Sequence, residues 1–168
     1  MPHEVYDQGF FDYNDRLAAR SSVKIVRVVQ GLLPGITSVA DFGCARGVWL
    51  RAWQEATVQT ICGVDGSYVD RATLCIPDED FVSHDLSRPL DLGRRFDLVQ
   101  SLEVAEHLPP AASRDFVRSL TAHGPIVLFS AAPPGQGGAE RITNGPMASG
   151  ATCSRRKDTL PSTACDRA

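Results

Sequence analysis

Apolar residues recur at helical spacing near the start of the chain, at Val23, Val26, Val29 and Leu33 of DRLAARSSVKIVRVVQGLLPG. That period predicts an amphipathic helix, stopped by Pro34-Gly35. Short apolar runs then alternate with helical stretches. TSVADF predicts a first strand, followed by a helix from about Val48 to Glu55. VQTICGVD predicts a second strand and SYVDRATL a helix after it. DFVSHD and FDLVQSL predict the third and fourth strands, and AASRDFVRSLTAHG leads as a helix into a fifth, PIVLFSAAPP. Strands alternating with helices predict an α/β fold with a doubly wound, mostly parallel sheet. From Gly135 onward neither a period of 2 nor one of 3.6 persists, and Gly, Ser, Thr, Arg and Pro dominate. Such a stretch buries too little apolar surface to offset its ordering entropy, so a disordered or loosely packed tail is expected.

Composition narrows the class. The chain has 168 residues, 43% hydrophobic and 22% charged, which suits one globular domain. A formal net charge of −3 provides no basic field to gather nucleic acid. The five cysteines, Cys44, Cys62, Cys75, Cys153 and Cys165, form no Cys-x-x-Cys pair, so a reducing compartment is expected, with neither a disulfide framework nor structural zinc. The acidic, aromatic start is not read as a signal peptide, and no apolar run approaches the roughly 18 residues of a membrane span. A cytoplasmic protein is expected. The segment YDQGFFDYND is read as packing on the core, with a lid over a substrate as the alternative.

Chemistry concentrates where strands end. In a doubly wound sheet, ligands bind beyond the carboxyl ends of the strands where the strand order reverses. DFGCARG follows the first strand, and Gly43 and Gly47 let the backbone approach a ligand closely. The dinucleotide pattern G-x-G-x-x-G is not met. Asp41 would repel a pyrophosphate but suits a cationic ligand, so S-adenosylmethionine, with a sulfonium, an ammonium and no phosphate, is preferred over NAD. Asp65 ends the second strand in GVDGS and can accept ribose hydroxyls. Asp85 ends the third in SHDLS and can accept from an adenine amino group, with the backbone of Leu86 alongside. Each acid alone is a common cap or turn residue. Three acids at the ends of successive strands are harder to assign to capping.

SVADFGCARGVWLRAW, GVDGSYVD, SHDLS and FDLVQSLEVAEHLP together resemble the successive motifs of class I S-adenosylmethionine-dependent methyltransferases, and FSAAPPGQGG resembles the fifth-strand segment of a bacterial small-molecule branch. The resemblance runs from about Ser38 to Gly138. It implies a Rossmann-like methyltransferase core over 37–138, an N-terminal helical or lid segment over 1–36 and an atypical tail over 139–168. It implies further that Asp41, Gly43, Cys44, Ala45 and Gly47 line the methionine end of the cofactor, Ala45 standing where the family usually has a glycine. Asp65 and Gly66 would hold the ribose, Asp85 and Leu86 the adenine. Ser101, Leu102 and Glu103 would pass beneath the methionine part.

In SLEVAEHLP, Glu106 and His107 are the candidate catalytic residues, His107 as a general base for a hydroxyl acceptor. A helical segment would put Glu103 and Glu106, and Glu103 and His107, on shared faces. The string also resembles a magnesium-binding element of ubiquinone-pathway O-methyltransferases and small-RNA 2′-O-methyltransferases. Many class I enzymes carry it without metal, so no metal is expected, with Mg2+ on Glu103, Glu106 and His107 as the alternative. Trp49, Leu50 and Trp53 are read as packing residues, Trp49 also as a possible wall of the cofactor pocket. His84 is read as a satisfied histidine, and His3 and His123 carry no signal.

The family sheet has seven strands and five are recognisable here. One shifted-frame translation of GC-rich codons for Ala139 to Thr159 reads AHHERPDGEWRDVFAAKGY, which has the histidine, tryptophan and amphipathic character the related branch shows after GQGG. A truncated or frame-shifted C-terminus is therefore expected. The function expected is transfer of a methyl group from S-adenosylmethionine to a small-molecule acceptor, with no nucleic-acid or membrane partner. The alternatives are a catalytically impaired cofactor-binding remnant or interaction module and, behind it, an NAD-dependent oxidoreductase.

Overall fold

The alternating apolar runs become the strands of one sheet. The structure, a computed structural model, describes residues 8–133, with side chains from Asp15 onward. The C-terminal tail and its frame therefore lie outside the described residues. Helix α1 (Gln8–Leu32) leads into β1 (Ser38–Phe42), α2 (Val48–Glu55), β2 (Thr60–Asp65), β3 (Phe81–Ser83), β4 (Leu98–Leu102), α3 (Ser113–His123) and β5 (Ile126–Ser130). The strands are parallel in the order β3-β2-β1-β4-β5. The chain thus winds outward from β1 through β2 to β3, then crosses over to β4. The reversal falls between β1 and β4, and in doubly wound sheets the carboxyl ends of the strands at such a reversal are where ligands bind.

Both faces of the sheet are covered, which is why β1 and β4 are almost wholly buried. Val39, Ile61 and Leu98 pack with Val26 of α1 and with Leu50 and Trp53 of α2. Ala40, Phe42, Cys62, Val64 and Val99 pack on the other face with Phe116 and Leu120 of α3. At the opposite end from the crevice, Asp97 Oδ2 accepts from the backbone N–H and the hydroxyl of both Thr37 and Ser38, each at 2.9 Å. These bonds pin the start of β1 against β4 and hold the Asp97 carboxyl below its usual range.

The segment after β2 departs from the expected helix. SYVDRATL forms a single 3-10 turn, Arg71–Thr73, capped by Asp70, which accepts from the Ala72 N–H at 3.0 Å. Leu74 is already extended, and the Cys75 N–H is taken by the Arg46 carbonyl at 2.8 Å. Late capping and this bond to the distant glycine loop leave no room for a second turn before Pro77. The expected helix at the chain start lengthens instead, its backbone reaching back to Gln8; the side chains before Asp15, including most of YDQGFFDYND, lie outside the described residues.

Candidate functional site

The loop between β1 and α2 is built on positive backbone angles. Gly43 has φ 94° and Gly47 φ 83°, with Ala45 at φ 48° between them. A Cβ at Gly43 would run into Cγ2 of Val104, so the segment after β4 presses directly on the loop. Gly47 caps α2, and its N–H donates to the Cys44 carbonyl at 2.8 Å. The Gly43 and Cys44 N–H groups both reach the Val64 carbonyl, at 2.8 and 3.2 Å. Cys44 is buried, and its sulfur fills the space where a side chain on Gly63 would stand. Arg46 is also buried and pairs with Asp15 of α1 at 3.1 Å, tying the first helix to the loop.

Asp41 and Asp65 end adjacent strands, both are nearly sealed from solvent, and they interact electrostatically. Burial pushes the Asp41 carboxyl up to about 7, a hydrogen bond from Gln100 opposing the rise and the Asp65 charge adding to it. Burial raises Asp65 as well, against hydrogen bonds from Tyr68, Gly66 and Ala45. Among the described residues no basic side chain offsets either carboxylate. Burial and the two acids push the Cys44 thiol well above its ordinary value. The arrangement is electronegative, partly dry and lined by backbone. It suits a compact cation bearing hydroxyl groups.

Asp65 is well occupied. Its Oδ2 accepts from the Ala45 N–H at 2.7 Å; its Oδ1 accepts from the Gly66 N–H at 2.7 Å and from the Tyr68 hydroxyl. The absence of a side chain on Gly66 is what admits the Tyr68 ring. Asp85 stands apart, exposed at the end of β3. Its carboxylate accepts from the N–H and hydroxyl of Ser87 at 3.0 and 2.7 Å, bonds that lower its pKa, and Arg88 lies at 3.5 Å. Leu86 beside it is buried.

Beyond β4 the expected helical face does not form. Glu103 is exposed at φ 57°, its N–H given to the Ser130 carbonyl at 2.9 Å, and only Ala105–His107 makes a 3-10 turn. Glu103 and His107 therefore do not share a helix face. Glu106 is buried, and its Oε1 accepts from the Ala132 N–H at 3.3 Å; His107 is half-buried. Among the described residues no group of three or more His, Cys, Asp or Glu is placed to hold a metal ion, so the alternative Mg2+ set is not assembled. Leu102 is half-buried. Ser101 is fully buried, with no hydrogen-bond partner for its hydroxyl among the described residues.

Strand alternation turns Ser101 to the face opposite its neighbour Gln100. Gln100 is the residue sequence reasoning passed over. It is buried and pairs in register with Asp41. A lone amide inside the apolar run of a central strand was the available signal. Tyr68 was also missed, and nothing in GVDGSYVD marks it. Trp49 is half-buried against the α1–α2 side of the core, and Trp53 is fully buried there. His123 is buried too. Its Nε2 accepts from the Leu92 N–H at 2.8 Å and its Nδ1 donates to the Ser119 carbonyl at 2.6 Å, which makes it a structural histidine. Cys44, Cys62 and Cys75 are free thiols, and no helix among the described residues is long and apolar enough to cross a membrane.

Solved structures share this architecture. The chain is similar to DesVI of Streptomyces venezuelae, at 21% identity and TM-score 0.63 over 81% of this chain and 59% of that one. It is similar to CalS10, described as a SAM-bound amino pentose methyltransferase from Micromonospora echinaspora, at 19% identity and TM-score 0.62 over 83% and 61%. It is also similar to KedS8, described as a sugar N-methyltransferase from a Streptoalloteichus species, at 26% identity and TM-score 0.55 over 68% and 48%. The chain therefore spans between 48% and 61% of the length of these three structures. No curated protein sequence matches it. A family model described as a methyltransferase domain matches residues 10–135, three-quarters of the chain, and the chain belongs to that family.

Proposed function

We propose that the chain binds S-adenosylmethionine and transfers its methyl group to a small-molecule acceptor. The observation that carries this reading is the pair of buried carboxylates, Asp41 and Asp65, at the ends of adjacent strands, with no basic side chain among the described residues to offset them. That donor set repels phosphate and receives an ammonium and hydroxyl groups. When bound, S-adenosylmethionine supplies an electrophilic methyl on a sulfonium. In this reading residues 37–138 form the cofactor-binding unit. Asp41 receives the amino group, and Gly43, Cys44, Ala45 and Gly47 pass close to the methionine portion. Asp65 and Gly66 hold the ribose. Asp85 and the Leu86 backbone take the adenine. Ser101, Leu102 and Glu103 run beneath. His107 takes the proton from the acceptor, and the crevice aligns the acceptor atom for in-line attack.

The amino pentose and sugar nitrogen named for CalS10 and KedS8 point to an amino-sugar acceptor. Isothermal titration of the purified chain with S-adenosylhomocysteine, beside Asp65→Ala, tests the cofactor step. Binding by the wild type that is lost in the variant supports it; no binding by folded wild type overturns it.

A further inference from the structure

A buried chain of hydrogen bonds lies directly behind Asp41. Asp41 and Gln100 are register partners on adjacent parallel strands, so their side chains leave the sheet on the same face. Trp53 of α2 closes over them, and all three side chains are buried. The Trp53 indole N–H donates to Gln100 Oε1 at 2.8 Å, and Gln100 Nε2 donates to Asp41 Oδ2 at 2.8 Å. An indole only donates. The Gln100 carbonyl must therefore face Trp53, which leaves its NH2 group facing Asp41. The reversed amide would set hydrogen against hydrogen at Trp53 and oxygen against oxygen at Asp41.

We propose that Trp53 and Gln100 are positioning residues that fix Asp41 as a hydrogen-bond acceptor and favour its ionised form where the cofactor's amino group is bound. The proposal rests on the cofactor reading only for the identity of that cation.

The surroundings of Asp41 leave this task to Gln100. Asp65 faces it from the end of β2 and disfavours its charge; Cys44 faces it from the loop, with a thiol whose raised pKa keeps it neutral near pH 7; Trp53 reaches it only through Gln100. Burial pushes the Asp41 carboxyl up to about 7, and among the described residues the Gln100 hydrogen bond is the one influence that lowers it. A cation arriving at an Asp41 that has kept its proton would find a neutral acid.

Carboxyl 13C NMR of the ligand-free full chain, titrated between pH 5 and 9 in wild type and Gln100→Met, tests the proposal directly. The Asp41 midpoint is expected near 7 in wild type and higher by about one pH unit in the variant. The Trp53 indole N–H resonance of the wild type is expected to move with the same midpoint, because the Gln100 amide links the two groups. An unchanged or lower midpoint in Gln100→Met overturns the proposal. If that variant does not fold, a wild-type Trp53 resonance that stays flat while Asp41 titrates overturns it equally. S-adenosylhomocysteine is expected to bind Gln100→Met about fivefold more weakly at pH 7 and about twofold more weakly at pH 8, following the ionised fraction. Wild type that shows the linked titration yet binds no S-adenosylhomocysteine would sink the cofactor reading and leave the positioning role standing.

Discussion

Asp41 shows how a single residue sets stability against function. Its folded pKa of about 7 lies above the ordinary 3.8. The stability it contributes is therefore complete below the lower value and is lost as pH rises through the upper one. The gap between the two values corresponds to about 4 kcal/mol, an upper figure for one buried group. Asp41→Asn removes the charge and keeps an amide oxygen for Gln100. In urea melts the variant should match wild type near pH 4 and exceed it by up to about 4 kcal/mol at pH 8. In the same protein, S-adenosylhomocysteine affinity should fall steeply. A variant no more stable than wild type at pH 8 would show that Asp41 is not desolvated. Tyr68 acts in the opposite sense. Its hydroxyl and the Gly66 N–H fill both acceptor positions of Asp65 Oδ1. The two hydroxyls of a ribose held as proposed need one acceptor position on each carboxylate oxygen, and therefore one of these. Tyr68→Phe should therefore tighten S-adenosylhomocysteine by a few-fold in calorimetry, whereas weaker binding would mean that the hydroxyl contacts the ligand itself.

At the scale of elements, α1 is held to the glycine loop by the Asp15–Arg46 pair, whose side chains are 24% and 7% exposed. Asp15→Asn should cost about 1 kcal/mol in thermal unfolding, the net value of a hydrogen bond to a charged group less what water recovers. It should also weaken S-adenosylhomocysteine through a looser loop. A cycle with Arg46→Met, read in both assays, separates the tie from either side chain alone. The elements that were legible in the sequence are those whose burial shows as pattern. The apolar runs of β1, β2, β4 and β5 stand between turn residues, and α2 falls on the expected Val48–Glu55. What was not legible depends on bonds between distant residues. SYVDRATL has a helical look, but Arg46 takes the Cys75 N–H. EVAEH would share a helix face, but Ser130 takes the Glu103 N–H and turns the backbone to φ 57°. Gln100 needed the β1–β4 register, which no local pattern encodes.

Across the whole molecule, the sheet separates its duties by end. The amino ends of β1 and β4 are clamped by Asp97, while the carboxyl ends of β1 and β2 carry the paired acids and the glycine loop. The strand-end acids and the glycine loop made the carboxyl end readable in the sequence; the strand order, the Asp97 clamp and the depth to which Asp41 and Asp65 are buried were not, because each depends on contacts between residues far apart in the chain. A ligand received at the carboxyl end should stabilise the fold unevenly. At one hundred times its dissociation constant, S-adenosylhomocysteine should add about 2.7 kcal/mol to global stability. Native-state hydrogen exchange resolves where. The amides of Gly43 and Cys44, bonded to the Val64 carbonyl, and of Ala45 and Gly66, bonded to Asp65, border the crevice and should gain the most protection. Thr37 and Ser38, bonded to Asp97 at the far end, should gain no more than the global increment. A gain confined to the Asp97 end, or a uniform one, would place the ligand somewhere other than between Asp41 and Asp65.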